Sequence, residues 1–318
     1  MKFLIHKKIT YIALCQISIL CADKKMVIID TDVGGDDAFA LLLATHDERL
    51  DVRAITTTYG NADLQQTTNN AAYVLQRFGI QHIPLYSGAD KPLTRKFTKD
   101  DFWDTTGLGA IKDLKSYALS HNAVQRMLRL IKKHPKKITI LALGPLTTIA
   151  QAIKKNPRVM AQVYEIIVFA GNLGTMTELS RPEFNVALDP EAAETVFKSG
   201  IPVKIITFDT AVRLHITWAD LLNCSPPRVN DFIHQMLATN EQKMLADCVY
   251  DPLVIYAASC AVPSIPISIS IIMTHSGKNN IGQTSGKPCS GHCTISHIEA
   301  LNKDALIAYF TRTLQKLF

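Results

Sequence analysis

Val27-Ile28-Ile29-Asp30-Thr31-Asp32-Val33-Gly34-Gly35-Asp36-Asp37-Ala38-Phe39-Ala40 is the stretch whose reading decides the fold. An apolar, β-branched run enters four carboxylates within eight positions, and two glycines separate the acids. Ala38, Leu41, Leu42 and Ala44 follow at helical spacing, which predicts a buried strand, a tight turn and a helix start. Asp36 and Asp37 would sit at the positive N-terminal end of that helix. Helix capping accounts for one or two of these acids. Four at the end of a buried strand lie where open α/β sheets bind their ligands. Like charges so close repel one another, and a hard metal ion is the simplest relief.

The same alternation continues outward. Asp51–Thr58 predicts a second strand ending at Tyr59-Gly60-Asn61, and Gln65–Phe78 predicts a helix closed by Gly79. Further strands are expected at Ile83–Tyr86, Ile138–Leu143, Tyr164–Ala170 and Val203–Phe208, the last ending at Asp209. Helices are expected at Asn122–Lys133, Leu146–Lys155 and Pro190–Ser199. Asp90–Gly109, which contains Trp103, reads as a long binding loop. Leu214–Ala261 reads as mostly helical, Ile267–Ile271 and Thr294–Ala300 as strands, and Lys303–Leu317 as a closing helix. Strands alternating with helices predict an α/β fold: an open, mainly parallel, doubly wound sheet of Rossmann-like type with helices on both faces. Its ligand crevice would lie at the C-terminal strand ends, where Asp30–Asp37, Asn61, Gly144, Asn172 and Asp209 converge, with Asp251 the most distant contributor.

Residues 23–318 read as one domain, since no repeat or low-complexity linker divides them. Of the 318 residues 47% are hydrophobic, which is ample for a core. The net charge is +6, but residues 1–22 carry Lys2, Lys7 and Lys8 without an acid, and removing them leaves +3. No basic cluster with interleaved aromatics appears, so nucleic acid is not expected as a partner; the Lys132/Lys133 and Lys136/Lys137 pairs read as a solvated helix end. Residues 1–22, a basic start followed by an apolar stretch to Ala22, read as a signal peptide on a secreted protein. The alternative is an extension on a cytoplasmic enzyme. No stable membrane association is expected once the leader is removed. Cysteine spacing suggests no disulfide framework, and Cys289-Ser-Gly-His292-Cys293 lacks the second ligand pair of a zinc site and reads as a loop between strands. The chain has no nucleophile elbow, P-loop or dinucleotide fingerprint.

Asp30-Thr31-Asp32-Val33-Gly34-Gly35-Asp36-Asp37-Ala38 resembles the N-terminal signature of the nucleoside hydrolases, the inosine-uridine preferring family. Thr57-Thr58-Tyr59-Gly60-Asn61, Leu143-Gly144-Pro145-Leu146-Thr147, Glu183-Phe184-Asn185, Asp189-Pro190-Glu191-Ala192-Ala193 and Asp251-Pro252-Leu253 match in the family's order. The resemblance covers the chain from about residue 26 to its end. It implies one calcium ion (Ca2+) held by Asp32, Asp37, Asp251 and the backbone carbonyl of Leu143. It implies ribose contacts from Asp36, Asn61, Glu183 and Asn185, and a homo-oligomer, dimer or tetramer. The implied reaction is hydrolysis of the N-glycosidic bond of a nucleoside, serving nucleoside catabolism and purine salvage. Asp32 would be the general base toward water, and Asp36 and Glu183 would stabilise the oxocarbenium-like ribose.

Departures from the family pattern point to the base. A histidine that helps protonate the leaving base in many members is Tyr250 here, and a loop histidine of the same members is Trp103. Members preferring inosine, adenosine and guanosine stack the purine between aromatics in this region. Tyr250 and Trp103 therefore imply a purine preference; a broad or pyrimidine preference is the alternative. Thr177 stands where the family commonly places a ribose-binding asparagine, and Asn172 is the candidate substitute. Two rivals stand beside this reading: a magnesium-dependent phosphohydrolase, which also uses Asp-x-Asp after a strand, and a non-catalytic nucleoside-binding protein on the same fold.

Overall fold

The computed structural model describes residues 23–96, 106–112, 114–173, 182–238, 244–273 and 281–317. Its centre is a nine-stranded sheet in the order β3-β2-β1-β4-β5-β6-β9-β7-β8. The strands are β1 (Lys25–Thr31), β2 (Leu50–Thr57), β3 (Leu85–Ser87), β4 (Ile138–Ala142), β5 (Glu165–Phe169), β6 (Val203–Ile206), β7 (Ile265–Ile271), β8 (Thr284–Pro288) and β9 (Ile295–His297). Pairing is parallel from β3 through β6 to β9, and β7 runs antiparallel to both β8 and β9. The predicted mainly parallel, doubly wound sheet is therefore the observed one.

Chain order runs outward from β1 in one direction through β2 and β3, then resumes on its other side with β4. That reversal opens a crevice beyond the carboxyl ends of β1 and β4, the place where such sheets hold ligands. Asp30 pairs level with Ala142 of β4 and with Thr56 of β2, so all three strands end at the same height.

Both faces are covered. Val27 and Ile29 pack under one core with the helices Gly35–His46 and Pro252–Ser259, while Ile28 joins Ile140, Val168 and the helix Thr147–Lys155 in the other. In the helix Gly35–His46, Phe39 and Leu41, Leu42 and Leu43 are buried. Each such burial contributes about 1.5–3 kcal/mol, enough together to hold the helix although its first turn carries repelling carboxylates.

Two elements differ from the sequence reading, and a disulfide is added to a third. β6 ends at Ile206, and Phe208–Leu214 is a helix with Asp209 in its first turn, pairing with Arg213 at 3.1 Å. The β-branched run Val203–Ile206 forms the strand, and the helix starts directly after Thr207, with the i, i+4 pair adding only about 0.2–0.5 kcal/mol to it. β8, Thr284-Ser-Gly-Lys-Pro288, was not expected, because it has neither alternation nor β-branched content beyond Thr284; its partner β7 recruits it. The Cys289–Cys293 loop does lie between strands, and a disulfide closes it.

Candidate active site

β1 ends at Thr31, and its continuation carries Asp32 into the crevice. Asp32 is buried, and its Oδ2 accepts a hydrogen bond from the backbone N–H of Asn61 at 2.7 Å. Glycine flanks the carboxylate on two sides: a Cβ at Gly144 would stand 2.5 Å from Asp32 Oδ1, and one at Gly60 would strike Oδ2. The Tyr59-Gly60-Asn61 and Leu143-Gly144-Pro145 turns therefore need glycine for close approach rather than for chain flexibility.

Asp37 caps its own helix, accepting from the Gly34 N–H at 2.9 Å, and also receives the Thr31 hydroxyl and the Asn61 amide, the latter at 3.0 Å. Asp36 reaches across the molecule and accepts from the backbone N–H of Tyr250 at 2.9 Å. That bond draws Asp251 in, so carboxylate oxygens of Asp36, Asp37 and Asp251 lie within 4.8 Å of one another. The tightest group thus contains Asp36 where the family resemblance names Asp32, which stands alongside. The carbonyl of Leu143 accepts the Asn185 amide at 2.7 Å, and the same amide reaches Phe169 O at 3.3 Å. Glu183 caps the short helix Phe184–Leu188 and accepts backbone N–H groups of Asn185, Gly171 and Val186 at 2.8, 3.0 and 3.1 Å.

Burial raises the proton affinity of every carboxylate here. Asp32 is pushed well above the ordinary range by burial and then by the charge of Asp37, and Asp36 is pushed up to about 6 by the same two causes. Burial and the Asp37, Asp36 and Asp32 charges push Asp251 well up as well. Glu183 rises to about 7 through burial, against the pull of its three N–H donors. Asp30 rises to about 7 by burial; the Thr56 hydroxyl donates to its Oδ1, while Oδ2 is buried without a partner among the described residues. Oxygen-only, carboxylate-rich and electrostatically frustrated, the cluster fits a hard divalent cation. Nothing in it resembles a soft-metal set of Cys or His.

Tyr250 is half-buried, with its ring stacked on Phe169 at 5.2 Å and 27° and tilted against Phe208 at 5.6 Å. Asn172 sits at the crevice beyond β5, with its N–H donating to Thr284 Oγ1 and its carbonyl accepting the same hydroxyl, both at 2.7 Å. Trp103 and Thr177 lie outside the described residues, as does the leader 1–22.

Four contributors escaped the sequence reading. Thr284, Phe169 and Asn70 act through partners remote in sequence, whereas Thr31 acts within the acidic turn itself, on Asp37. Asn70 left one signal, an amide in a buried helical position where such residues are poor helix formers. Its Nδ2 donates to Val33 O at 2.8 Å and Thr106 O at 2.7 Å, tying the loop after Trp103 to the acidic turn.

Known proteins resemble this chain in sequence and in fold. Residues 27–308 match the family model described as inosine-uridine preferring nucleoside hydrolase. An inosine-uridine preferring nucleoside hydrolase of Crithidia fasciculata is 31% identical over 290 residues, covering 85% of this chain and 90% of that protein. A pyrimidine-specific ribonucleoside hydrolase, RihA, of Salmonella arizonae is 35% identical over 198 residues, covering 61% of this chain and 64% of its own length. Among solved structures, a plant nucleoside hydrolase superposes with a TM-score of 0.78 at 25% identity, covering 91% of this chain and 98% of that one. A purine-preferring ribonucleoside hydrolase of Gardnerella vaginalis shares the fold, with a TM-score of 0.77 at 23% identity, 92% of this chain and 99% of that one. The chain belongs to the inosine-uridine preferring nucleoside hydrolase family and is a hydrolase of N-glycosyl bonds.

Proposed function

We propose that the protein hydrolyses ribonucleosides, with a preference for purine bases, to free base and ribose, and that calcium is its resident ion. The observation that carries this reading is the convergence of Asp36, Asp37 and Asp251 within 4.8 Å beside the buried Asp32. Asp32, Asp37, Asp251 and the Leu143 carbonyl would hold the ion, with Asp36 against it. Bound calcium supplies the positive charge that neutralises the cluster and acidifies water.

The chain's own groups do the rest. Asp32, aimed by the Asn61 N–H and by the close glycines, takes the proton of the attacking water. Asp36 and Glu183 present negative charge to a ribose that turns oxocarbenium-like as the bond to the base breaks. Asn61, Asn172 and Asn185 supply amide donors and acceptors that match sugar hydroxyls.

The Tyr250–Phe169–Phe208 cluster supports the purine preference. It puts a rigid aromatic surface next to Asp251, and base–aromatic stacking is worth roughly 1–3 kcal/mol per base. Trp103 would complete the wall. The names of the relatives span purine and pyrimidine substrates, so the choice rests on such side chains. We also infer an exported protein from the leader and the Cys289–Cys293 disulfide, which belongs in an oxidising compartment; detection only in the cytosol would contradict this.

The test is base release from inosine and uridine by purified protein, with and without a calcium chelator. Faster hypoxanthine than uracil release, abolished by chelation and restored by calcium, is expected. Comparable rates on the two nucleosides would remove the purine preference. No base from any nucleoside would leave only a nucleoside-binding protein.

A further inference from the structure

At the N-terminal edge of the parallel strands, opposite the carboxylate crevice, two turns meet. One joins the helix Ala123–Lys133 to β4, and the other joins the short helix Pro157–Met160 to β5. They are bonded to each other: Lys136 N–H donates to Gln162 O and Lys136 Nζ to Ala161 O, both at 2.7 Å, and Tyr164 N–H donates to Ile138 O at 2.8 Å. The first turn and its helix present Lys132, Lys133, Lys136 and Lys137, all exposed. Beside the second stand the exposed Lys154, Lys155 and Arg158. The 51 residues between Asp113 and Glu165 contain ten Lys and Arg and no Asp or Glu.

Two carboxylates at this edge, Glu165 and Asp51, are already engaged. Glu165 pairs with Lys25 at 3.4 Å and with Lys204 at 2.9 Å, and Asp51 pairs with Arg53 at 2.9 Å. None of the seven cations has an ion-pair partner among the described residues. Helix C-termini attract lysines, which accounts for Lys132, Lys133, Lys154 and Lys155. The end of the helix Pro157–Met160 accounts likewise for Arg158 in its last turn and for Lys136, whose Nζ caps Ala161 O, with Lys137 adjoining them; three helix ends thus bring seven cations to one edge, which no single end requires. The local field acts on His134 as well, held below its ordinary value by burial and then by Arg53, Lys133 and Lys137. In the midst of these cations Tyr164 is 54% exposed.

We propose that this edge is a docking surface for reversible, peripheral contact with an anionic phospholipid bilayer, weaker than the stable association that the sequence reading excludes, with the active-site crevice turned away from it toward solvent. Six of the seven charges are lysines, compact and flexible point charges suited to a diffuse surface potential. A lone exposed tyrosine among them matches the headgroup layer, where an aromatic ring with a polar tip is favoured. A single-stranded nucleic acid would instead call for a row of stacking rings in a groove, and Tyr164 is the one exposed ring at this edge among the described residues. No helix among the described residues is long and apolar enough to cross a membrane, so contact would be peripheral.

The experiment is cosedimentation of the purified full chain with vesicles of phosphatidylcholine alone or phosphatidylcholine containing about 30% phosphatidylserine, a strongly anionic composition. Binding to the anionic vesicles only is expected, lost as salt is raised because exposed charges are screened. The variant K132Q/K137Q/K154Q/K155Q, which leaves the Lys136 Nζ–Ala161 O bond in place, should lose roughly fivefold in partitioning per lysine removed, while its rate of nucleoside hydrolysis stays that of the parent. Equal binding of parent and variant, no binding to anionic vesicles, or tighter binding to a single-stranded oligonucleotide than to vesicles would each overturn the proposal.

Discussion

At the scale of the residue, Asp32 is the group on which the proposed chemistry turns, and its neighbours are chosen to leave it room. Asp32→Asn removes both the base and an ion ligand, so kcat should fall by more than the roughly 10²–10⁴-fold usual for one acid–base group. Retention of a tenth of the parental rate would assign the base elsewhere. Gly144→Ala is a sharper probe, because it touches no catalytic atom by chemistry. Its Cβ would stand 2.5 Å from Asp32 Oδ1 and push the carboxylate aside. A displacement of about 1 Å in such a site costs on the order of 10²-fold, so kcat should drop by about that factor while circular dichroism stays parental. Tyr250 separates packing from stacking. Tyr250→Phe keeps the ring against Phe169 and Phe208 and should retain inosine turnover. Tyr250→Ala should lose more of its inosine rate than of its uridine rate, and equal losses would confine Tyr250 to a packing role.

At the scale of the element, the C-terminal hairpin of β7 and β8 serves the site from the far side of the sheet. Thr284 at the start of β8 clamps the N–H and the carbonyl of Asn172 with one hydroxyl. Thr284→Val keeps the shape and removes both bonds to the Asn172 backbone. The expected cost is about 1–3 kcal/mol in urea unfolding, with KM for nucleosides rising more than kcat falls if Asn172 touches ribose. An unchanged KM would remove Asn172 from the substrate site. The helix Gly35–His46 illustrates the opposite arrangement, where buried Phe39 and Leu41–Leu43 anchor an element whose first turn is electrostatically unfavourable.

At the scale of the whole molecule, the frustrated carboxylates couple folding to pH and to the ion. Asp36 is raised to about 6, and Asp30 and Glu183 to about 7, all chiefly by burial. The folded state therefore keeps protons that the unfolded chain gives up near the ordinary carboxylate values. Stability from this source is complete below those ordinary values and declines as pH climbs through the raised ones. The melting temperature of chelator-treated protein should accordingly fall between pH 5 and pH 7.5. Calcium at about 100 times its Kd should then restore roughly 2.7 kcal/mol at neutral pH by mass action, or about 4 °C for a chain of this size. A melting temperature that rises with pH in chelator would contradict the assignment of the cluster.

Local information was enough for much of this. The run from Val27 to Ala40 carried the strand, the turn, the helix and the acids, because a buried parallel strand needs a continuous apolar stretch and a helix start needs its own caps. The alternation of strands and helices then implied the sheet, and the ordered motifs implied the family. What the sequence could not order was anything made by residues far apart along the chain. The N–H of Tyr250 on Asp36, the threonine behind Asn172, the aromatic backing of Tyr250 and the convergence of two lysine-bearing turns all depend on which strands lie side by side. β8, with no pattern of its own, exists only because β7 offers an edge. Short-range preferences write elements into sequence, whereas the closing of the crevice and the gathering of charge at the opposite edge are consequences of strand order, which appears only once the chain has packed.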